Sequence, residues 1–135
     1  MFKKYLLLFV LVATAFACNT KTKKMPVTDI EVARAFVRNL LDNNFTEAGQ
    51  FLFKDETNMQ IFERFKKQYS EQSKAILEKY KNADIIVNES SYVTDSVFIF
   101  NYSNSYNRAD KTILKLVRID GKWLVDLKYT FSGNL

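Results

Sequence analysis

The sequence predicts an α+β domain in which three N-terminal helices pack on a curved, four-stranded antiparallel meander. Two observations carry this. Apolar residues recur with the 3.6-residue period of a helix up to about Asn82, and with the period of 2 of a strand after it. The second half is also rich in β-branched and aromatic residues and holds an Asp-Gly turn signal. The whole chain is 135 residues with 15% aromatic residues and only 3 Gly and 1 Pro, which suits one folded unit and argues against a disordered or fibrous chain.

The first seventeen residues read as a signal peptide. Lys3 and Lys4 precede an uncharged apolar run from Tyr5 to Ala17. At 13 residues the run is shorter than the ~20 a spanning helix needs. It ends Ala15-Phe16-Ala17, with small residues at the two positions that flank signal cleavage, and Cys18 follows at once. Cys18 is the only cysteine of the chain, so no intrachain disulfide forms. The segment resembles a bacterial lipoprotein signal, which implies acylation of Cys18 and a domain anchored to a membrane of the cell envelope, facing the periplasm or the exterior. The alternative is ordinary cleavage after Ala17, with Cys18 left unmodified.

Residues 18–27 form a basic tether closed by Pro26, and residues 28–135 form the domain. Lys21, Lys23 and Lys24 lie in the tether, and from Met25 onward the chain has 15 basic and 15 acidic residues. The net charge of +5 therefore belongs to the N-terminal end, and a neutral domain excludes nucleic acid as a partner, since phosphate contacts need a basic face. With no His and one Cys, the sequence offers no imidazole base, no Cys/His pair and no common zinc ligand set, so no metal and no cofactor is expected.

Thr28 and Glu31 form a capping-box pattern ahead of a stripe of Ile30, Ala33, Phe36, Val37, Leu40 and Leu41, the first helix. Asn43-Asn44 ends it, and Thr46 is placed to cap a short second helix carrying Ala48, Phe51 and Leu52. Asp55-Glu56 reads as a helix start rather than a metal site. With Thr57 and Gln60 as a further capping box, it opens one long third helix to about Lys81, with Phe62, Phe65, Tyr69, Ile76 and Tyr80 inward and Ser73 filling a gap.

Strands are expected over 84–93, 96–106, 111–119 and 122–131. Asp120-Gly121 suits a type I′ turn, which pairs Ile119 with Lys122, Leu116 with Val125, Lys115 with Asp126 and Leu114 with Leu127. The last strand then points Trp123, Val125, Leu127, Tyr129 and Phe131 to the core, with Arg118 beside Trp123. A turn at Thr94-Asp95 puts Ile85, Val87, Phe98, Phe100 and Tyr102 on the inner face, and Glu89 with them. Tyr92, Ile99, Val117 and Leu124 fall on the outer face.

Two stretches, ARAFVRNLLDNNFTEAGQFL near the start and LVRIDGKWLVDL near the end, give this pattern a familiar outline. It resembles the cone-shaped nuclear transport factor 2-like (cystatin-like) superfamily, and within it the small bacterial lipoproteins of lumazine-binding-like and uncharacterised type. The resemblance implies a concave apolar hollow between helices and sheet. Tyr69, Tyr102, Trp123 and Tyr129 are the aromatic residues expected to line it, with Glu89 the one acid patterned inward. No catalytic residue is assigned.

Three functions follow, in order. The first is a membrane-anchored, non-catalytic domain that binds a small apolar or aromatic molecule. The second is a structural or protein-interaction lipoprotein with a filled core, with a homodimer through the outer sheet face as one form. The third is an isomerase- or dehydratase-like enzyme using Glu89 as a buried acid.

Overall fold

The computed structural model describes residues 24–131. The signal sequence with Ala15 and Ala17, Cys18 and the first part of the tether lie outside the described residues. Within them the chain is α+β, with five α-helices and a four-stranded antiparallel sheet in the order β1-β2-β3-β4.

Helix α1 (Asp29–Leu41) starts at the capping box: the Thr28 hydroxyl accepts from the Glu31 N–H at 3.3 Å and the Glu31 carboxylate accepts from the Thr28 N–H at 3.1 Å. It buries Ala33, Phe36, Val37, Leu40 and Leu41 as expected, but Val32, not Ile30, completes the stripe. Ile30 is exposed, because the buried arc is rotated toward the sheet by one residue. Asn43, at φ 57, ends the helix. Helix α2 (Phe45–Ala48) is capped by Asn44, not Thr46: the Asn44 carboxamide oxygen accepts from the Glu47 N–H. A 3-10 turn over Gly49–Phe51 follows, burying Phe51 against the core.

The expected long third helix is two. Helix α3 (Glu56–Ser70) is capped by Asp55, whose carboxylate accepts from the Asn58 N–H at 2.8 Å, and Thr57 lies inside it. The chain breaks at Glu71–Ser73, where the Ser73 hydroxyl accepts from the Ile76 N–H and starts α4 (Lys74–Lys81). A serine side chain competes with the helical ladder and favours a new N-terminus there. Arg38 of α1 then fastens the far end of α4. Its guanidinium donates to the carbonyls of Ala83 at 2.8 Å, Lys81 at 3.0 Å and Tyr80 at 3.4 Å, and pairs with Asp42. A cation is well placed among carbonyls that a helix end leaves unpaired.

Strands β1 (Ile85–Thr94), β2 (Val97–Asn104), β3 (Thr112–Ile119) and β4 (Lys122–Asp126) form the meander. Asp120 at φ 49 and Gly121 at φ 75 make the expected turn, and the register runs from Ile119 opposite Lys122 to Lys115 opposite Asp126. It stops there. Leu127 does not pair with Leu114, because residues Leu127–Phe131 form a short helix, α5, instead of the end of a strand. The amides that a strand would give to β3 are taken by side chains: Leu127 N–H donates to Asn58 and Lys128 N–H to Asp126.

The β1–β2 pair holds a second correction. Val87 faces Tyr102, but Glu89 faces Asn101, so Asn88 is an extra residue in β1. Side chains alternate along a strand, so one bulge reverses every face beyond it. Glu89 is thereby turned to the outer face and exposed. Tyr92 moves the opposite way and lies opposite inward-facing Phe98. A second irregularity falls at Val93.

The core lies between α1 and the inner face of the sheet. Phe36, Val37 and Leu40 meet Phe98, Phe100, Leu114, Leu116 and Val125, and Phe45, Leu52 and Phe62 close the side toward α3. Beside β4, the Phe53 N–H donates to the Val125 carbonyl at 2.9 Å and covers that edge, while β1 forms the other edge of the sheet.

Candidate functional site

The break between α3 and α4 opens a cleft of about 210 Å³ between the helices and the start of β3. Its walls are Leu40 and Leu41 of α1, Phe65, Gln68, Tyr69 and Gln72 around the end of α3, Tyr80 of α4, Tyr102 and Asn104 of β2, and Asp110 and Thr112 at the entrance to β3. A continuous helix would carry residues 74–81 away from the sheet. The turn at Ser73 brings Tyr80 back against Tyr69, with ring centroids 5.7 Å apart.

The aromatic rings support one another. Tyr69 packs on Phe45 at 5.3 Å and on Phe65 at 5.8 Å, Tyr80 meets Tyr106 edge-on at 5.1 Å, and Tyr102 stacks on Phe100 at 5.9 Å. Arg38, by holding the last carbonyls of α4, fixes the height of Tyr80. The loop leading to Asp110 is held by Asn104, whose side-chain oxygen accepts from the N–H groups of Tyr106 at 3.0 Å and Asn107 at 2.9 Å.

Burial sets the protonation of the tyrosines. The Tyr69 phenol is pushed up to about 12, by burial first and then by the nearby Tyr80 and Asp110. Tyr80 is raised by burial, with Tyr106 and Asp110 adding to it. Tyr102 is raised well beyond the usual phenol range by burial, against which its hydrogen bond with Thr112 acts weakly. All three are therefore neutral near pH 7 and present O–H groups over apolar rings. A general acid or base works best when it titrates near the working pH, and these groups are moved away from it. The cleft offers rings that suit a flat or apolar body, and phenols, amides and one carboxylate that suit a polar edge.

Sequence reasoning placed Tyr69 and Tyr102 here, and the structure brings those two together. It does not bring the other three. Trp123 lies at the opposite end of the sheet, near Arg118 and Tyr92. Tyr129 is half-buried on α5 and is not part of the cleft wall. Glu89 is on the outer face, turned there by the bulge at Asn88. Tyr80, Gln72, Asn104 and Asp110 line the cleft without having been singled out for it. The signal for Tyr80 was Ser73, a capping residue in the middle of an apparent helix.

Among the described residues, no group of three or more Cys, His, Asp or Glu is arranged to hold a metal ion, and no helix is long and apolar enough to cross a membrane. No protein-family model, no curated protein and no solved structure matches the chain.

Proposed function

We propose that the domain is a non-catalytic binding module for a small, largely apolar or aromatic molecule, held at a bacterial envelope membrane through a lipid on Cys18. The observation that carries the binding reading is the tyrosine-walled cleft, whose rings pack on one another and whose walls also carry Gln68, Gln72, Asn104, Asp110 and Thr112. Size narrows the ligand. A cavity of ~150 Å³ accommodates benzene, and drug-sized ligands occupy ~300 Å³ or more. At about 210 Å³ the cleft suits a single-ring compound or a short-chain molecule. The cone-like curvature and the kinship with nuclear transport factor 2-like lipoproteins belong to this same reading, since members of that superfamily hold ligands between helices and sheet.

The test is native mass spectrometry of the chain from Asn19 onward, after incubation with an extract of the source cell. A discrete small mass that leaves on denaturation, and that is missing in Tyr80→Ala, is expected. No bound mass, or one that Tyr80→Ala leaves untouched, rejects the cleft as the site.

A second reading, a protein-interaction lipoprotein, is favoured by the outer sheet face. Val97, Ile99, Val117 and Leu124 lie there, each half-buried. A homodimer across that face is its simplest form, and sedimentation velocity of the same chain reads it directly. The isomerase-like alternative loses the acid it relied on, since Glu89 faces outward.

A further inference from the structure

Large apolar side chains that remain exposed are unevenly distributed over the domain. Among the described residues the four most exposed, Met25 at 55%, Val27 at 66%, Tyr92 at 62% and Val93 at 64%, belong to one end with Ile30 and Ile119, whereas Met59, Val87 and Tyr106, all at 40% or less, lie elsewhere. This is the end where the two hairpin tips, Asp95-Ser96 and Asp120-Gly121, meet the first described residues. Met25 and Val27 share a hollow with Gly121, Lys122, Trp123 and Leu124. Val27 and Ile30 share another with Tyr92, Asp95, Arg118 and Trp123. Met25, Val27, Ile30 and Tyr92 therefore line two hollows that share Val27 and Trp123 where the tether joins α1, with Val93 next to Tyr92 in β1 and Ile119 at the tip of β3.

The polar groups at this end are of a particular kind. Tyr92 and Trp123 have rings 6.4 Å apart, and the Arg118 guanidinium lies 6.0 Å from the Trp123 ring. The Tyr92 hydroxyl donates to Asp29, which keeps the ring against the sheet. Lys24, Arg118 and Lys122 supply three cations beside the exposed acids Glu31, Asp95 and Asp120 and the Tyr92-bonded Asp29, and Lys21 and Lys23 precede them in the sequence. Trp123 is buried behind this surface and Tyr92 is its exposed ring. An amphipathic aromatic, exposed aliphatics and long cationic side chains are groups that settle at the boundary between headgroups and acyl chains.

We infer that this end of the domain rests on the surface of an anionic bilayer, with Val27, Ile30, Tyr92, Val93 and Ile119 at the headgroup boundary and Lys24, Arg118 and Lys122 among the phosphates. The inference rests on the reading of Cys18 as the membrane anchor, and chain length then favours a bilayer over other occupants. Lys24 is six residues from Cys18, a span of at most ~20 Å. A folded unit of this size is ~35 Å across, judged from a radius of gyration of ~13 Å, so so short a leash keeps the near end down and the far end up. The cleft of Tyr69 and Tyr80, bounded by different residues, is left open to solution.

Trp123 is the only tryptophan and Cys18 the only cysteine, so both ends of the test are built in. Every core residue described above lies within residues 24–131, and the chain from Cys18 onward contains them all. That chain is coupled through Cys18 to maleimide-bearing lipid in vesicles of phosphatidylglycerol and brominated phosphatidylcholine, and Trp123 emission is recorded. Bromine reaches only groups near the acyl boundary, and the expected result is about a twofold loss of emission. Val27→Glu combined with Val93→Glu, both at exposed positions, restores it.

Unquenched Trp123 on vesicles that carry the protein overturns the inference. So does a dimer in sedimentation that the same two substitutions dissolve, which assigns the surface to a second copy. Chemical coupling makes this outcome independent of natural acylation. The intact mass of the protein extracted from membranes reads acylation separately: an unmodified Cys18 rejects the anchor and leaves the quenching result standing.

Discussion

Asn58 and Leu127 are 69 positions apart in the chain, yet the Asn58 side-chain oxygen accepts the Leu127 N–H at 2.7 Å. The same carboxamide donates to Asp126 at 3.2 Å and to Asp55 at 3.2 Å, and Asn58 is completely buried. One side chain thus joins the first turn of α3 to the point where β4 becomes α5. Removing it leaves the buried Asp126 carboxylate and the Leu127 amide each short of a partner, at about 1–3 kcal/mol for each group. Asn58→Ala is therefore expected to cost about 3 kcal/mol in urea unfolding. Asn58→Asp keeps the acceptor but sets a second carboxylate beside Asp126, so its deficit shrinks in acid.

Asp55 caps α3 and pairs with Lys128, and the cap and the ion pair together hold its carboxyl below the usual range. A lowered carboxyl stabilises the fold above its unfolded value of about 4, and the contribution disappears as pH falls through the folded value. Asp55→Asn, which retains the cap geometry but not the charge, is expected to flatten that acid limb of the Tm-against-pH curve. Asp55→Ala lowers Tm further at neutral pH. Equal Tm values for the two variants would show that the cap contributes nothing.

The buried tyrosines give the alkaline limb. Tyr69 titrates near 12, and Tyr80 and Tyr102 are also raised, whereas in the unfolded chain all three titrate near 10. Above that value the unfolded state has lost protons that the folded state keeps, so stability is complete below about 10 and falls as pH rises from there toward 12. Phenolate absorbance is expected to show two groups of tyrosines, the late group appearing together with loss of the folded near-ultraviolet dichroism. Tyr102→Phe moves that unfolding to higher pH.

Gly121 sits at φ 75 with open space where a side chain would go, so the conformation and not crowding demands glycine. Gly121→Ala is expected to lower stability by about 1 kcal/mol, or about 4 °C in Tm. Replacing Asp120 with Asn, which tolerates the same left-handed backbone, is expected to change it by less than ~0.5 kcal/mol.

Glu89 offers the cheapest test of an enzymatic alternative. On the outer face its side chain has no part in the cleft, and Glu89→Gln is expected to leave stability within ~0.5 kcal/mol and ligand binding unchanged.

Local chemistry made much of this fold legible. Thr28 with Glu31 and Asp120 with Gly121 are short-range signals that the rest of the chain does not override, and they gave the first helix and the β3–β4 register. What failed was decided at a distance. Leu127, Tyr129 and Phe131 alternate like a strand, but Asn58, far away in sequence, takes the amide that a strand would use. The bulge at Asn88 has no local mark, and that one inserted residue misplaced both Glu89 and Tyr92. The cleft was half visible: Tyr69 and Tyr102 were found from patterning, while Tyr80 depended on recognising that Ser73 starts a helix. Trp123 and Tyr129 are expected in it from the hollow that the resemblance implies. Trp123 does face the core, but at the other end of the sheet, and the turn into α5 takes Tyr129 out of the strand.

The bulges in β1 also bear on how many copies of this protein can share a small space. A strand at the border of a sheet offers a row of N–H and C=O groups to which another chain can add, and this is how folded proteins begin to form fibrils. Phe53 occupies that row beside β4. Along β1 it is broken at Asn88 and again at Val93, and the stretch between them opens with Glu89-Ser90-Ser91, charged or polar, ahead of Tyr92. Straightening β1 by deleting both Asn88 and Val93 would restore an even ladder along the border, and with it the template that a crowded population of neighbours would need to aggregate.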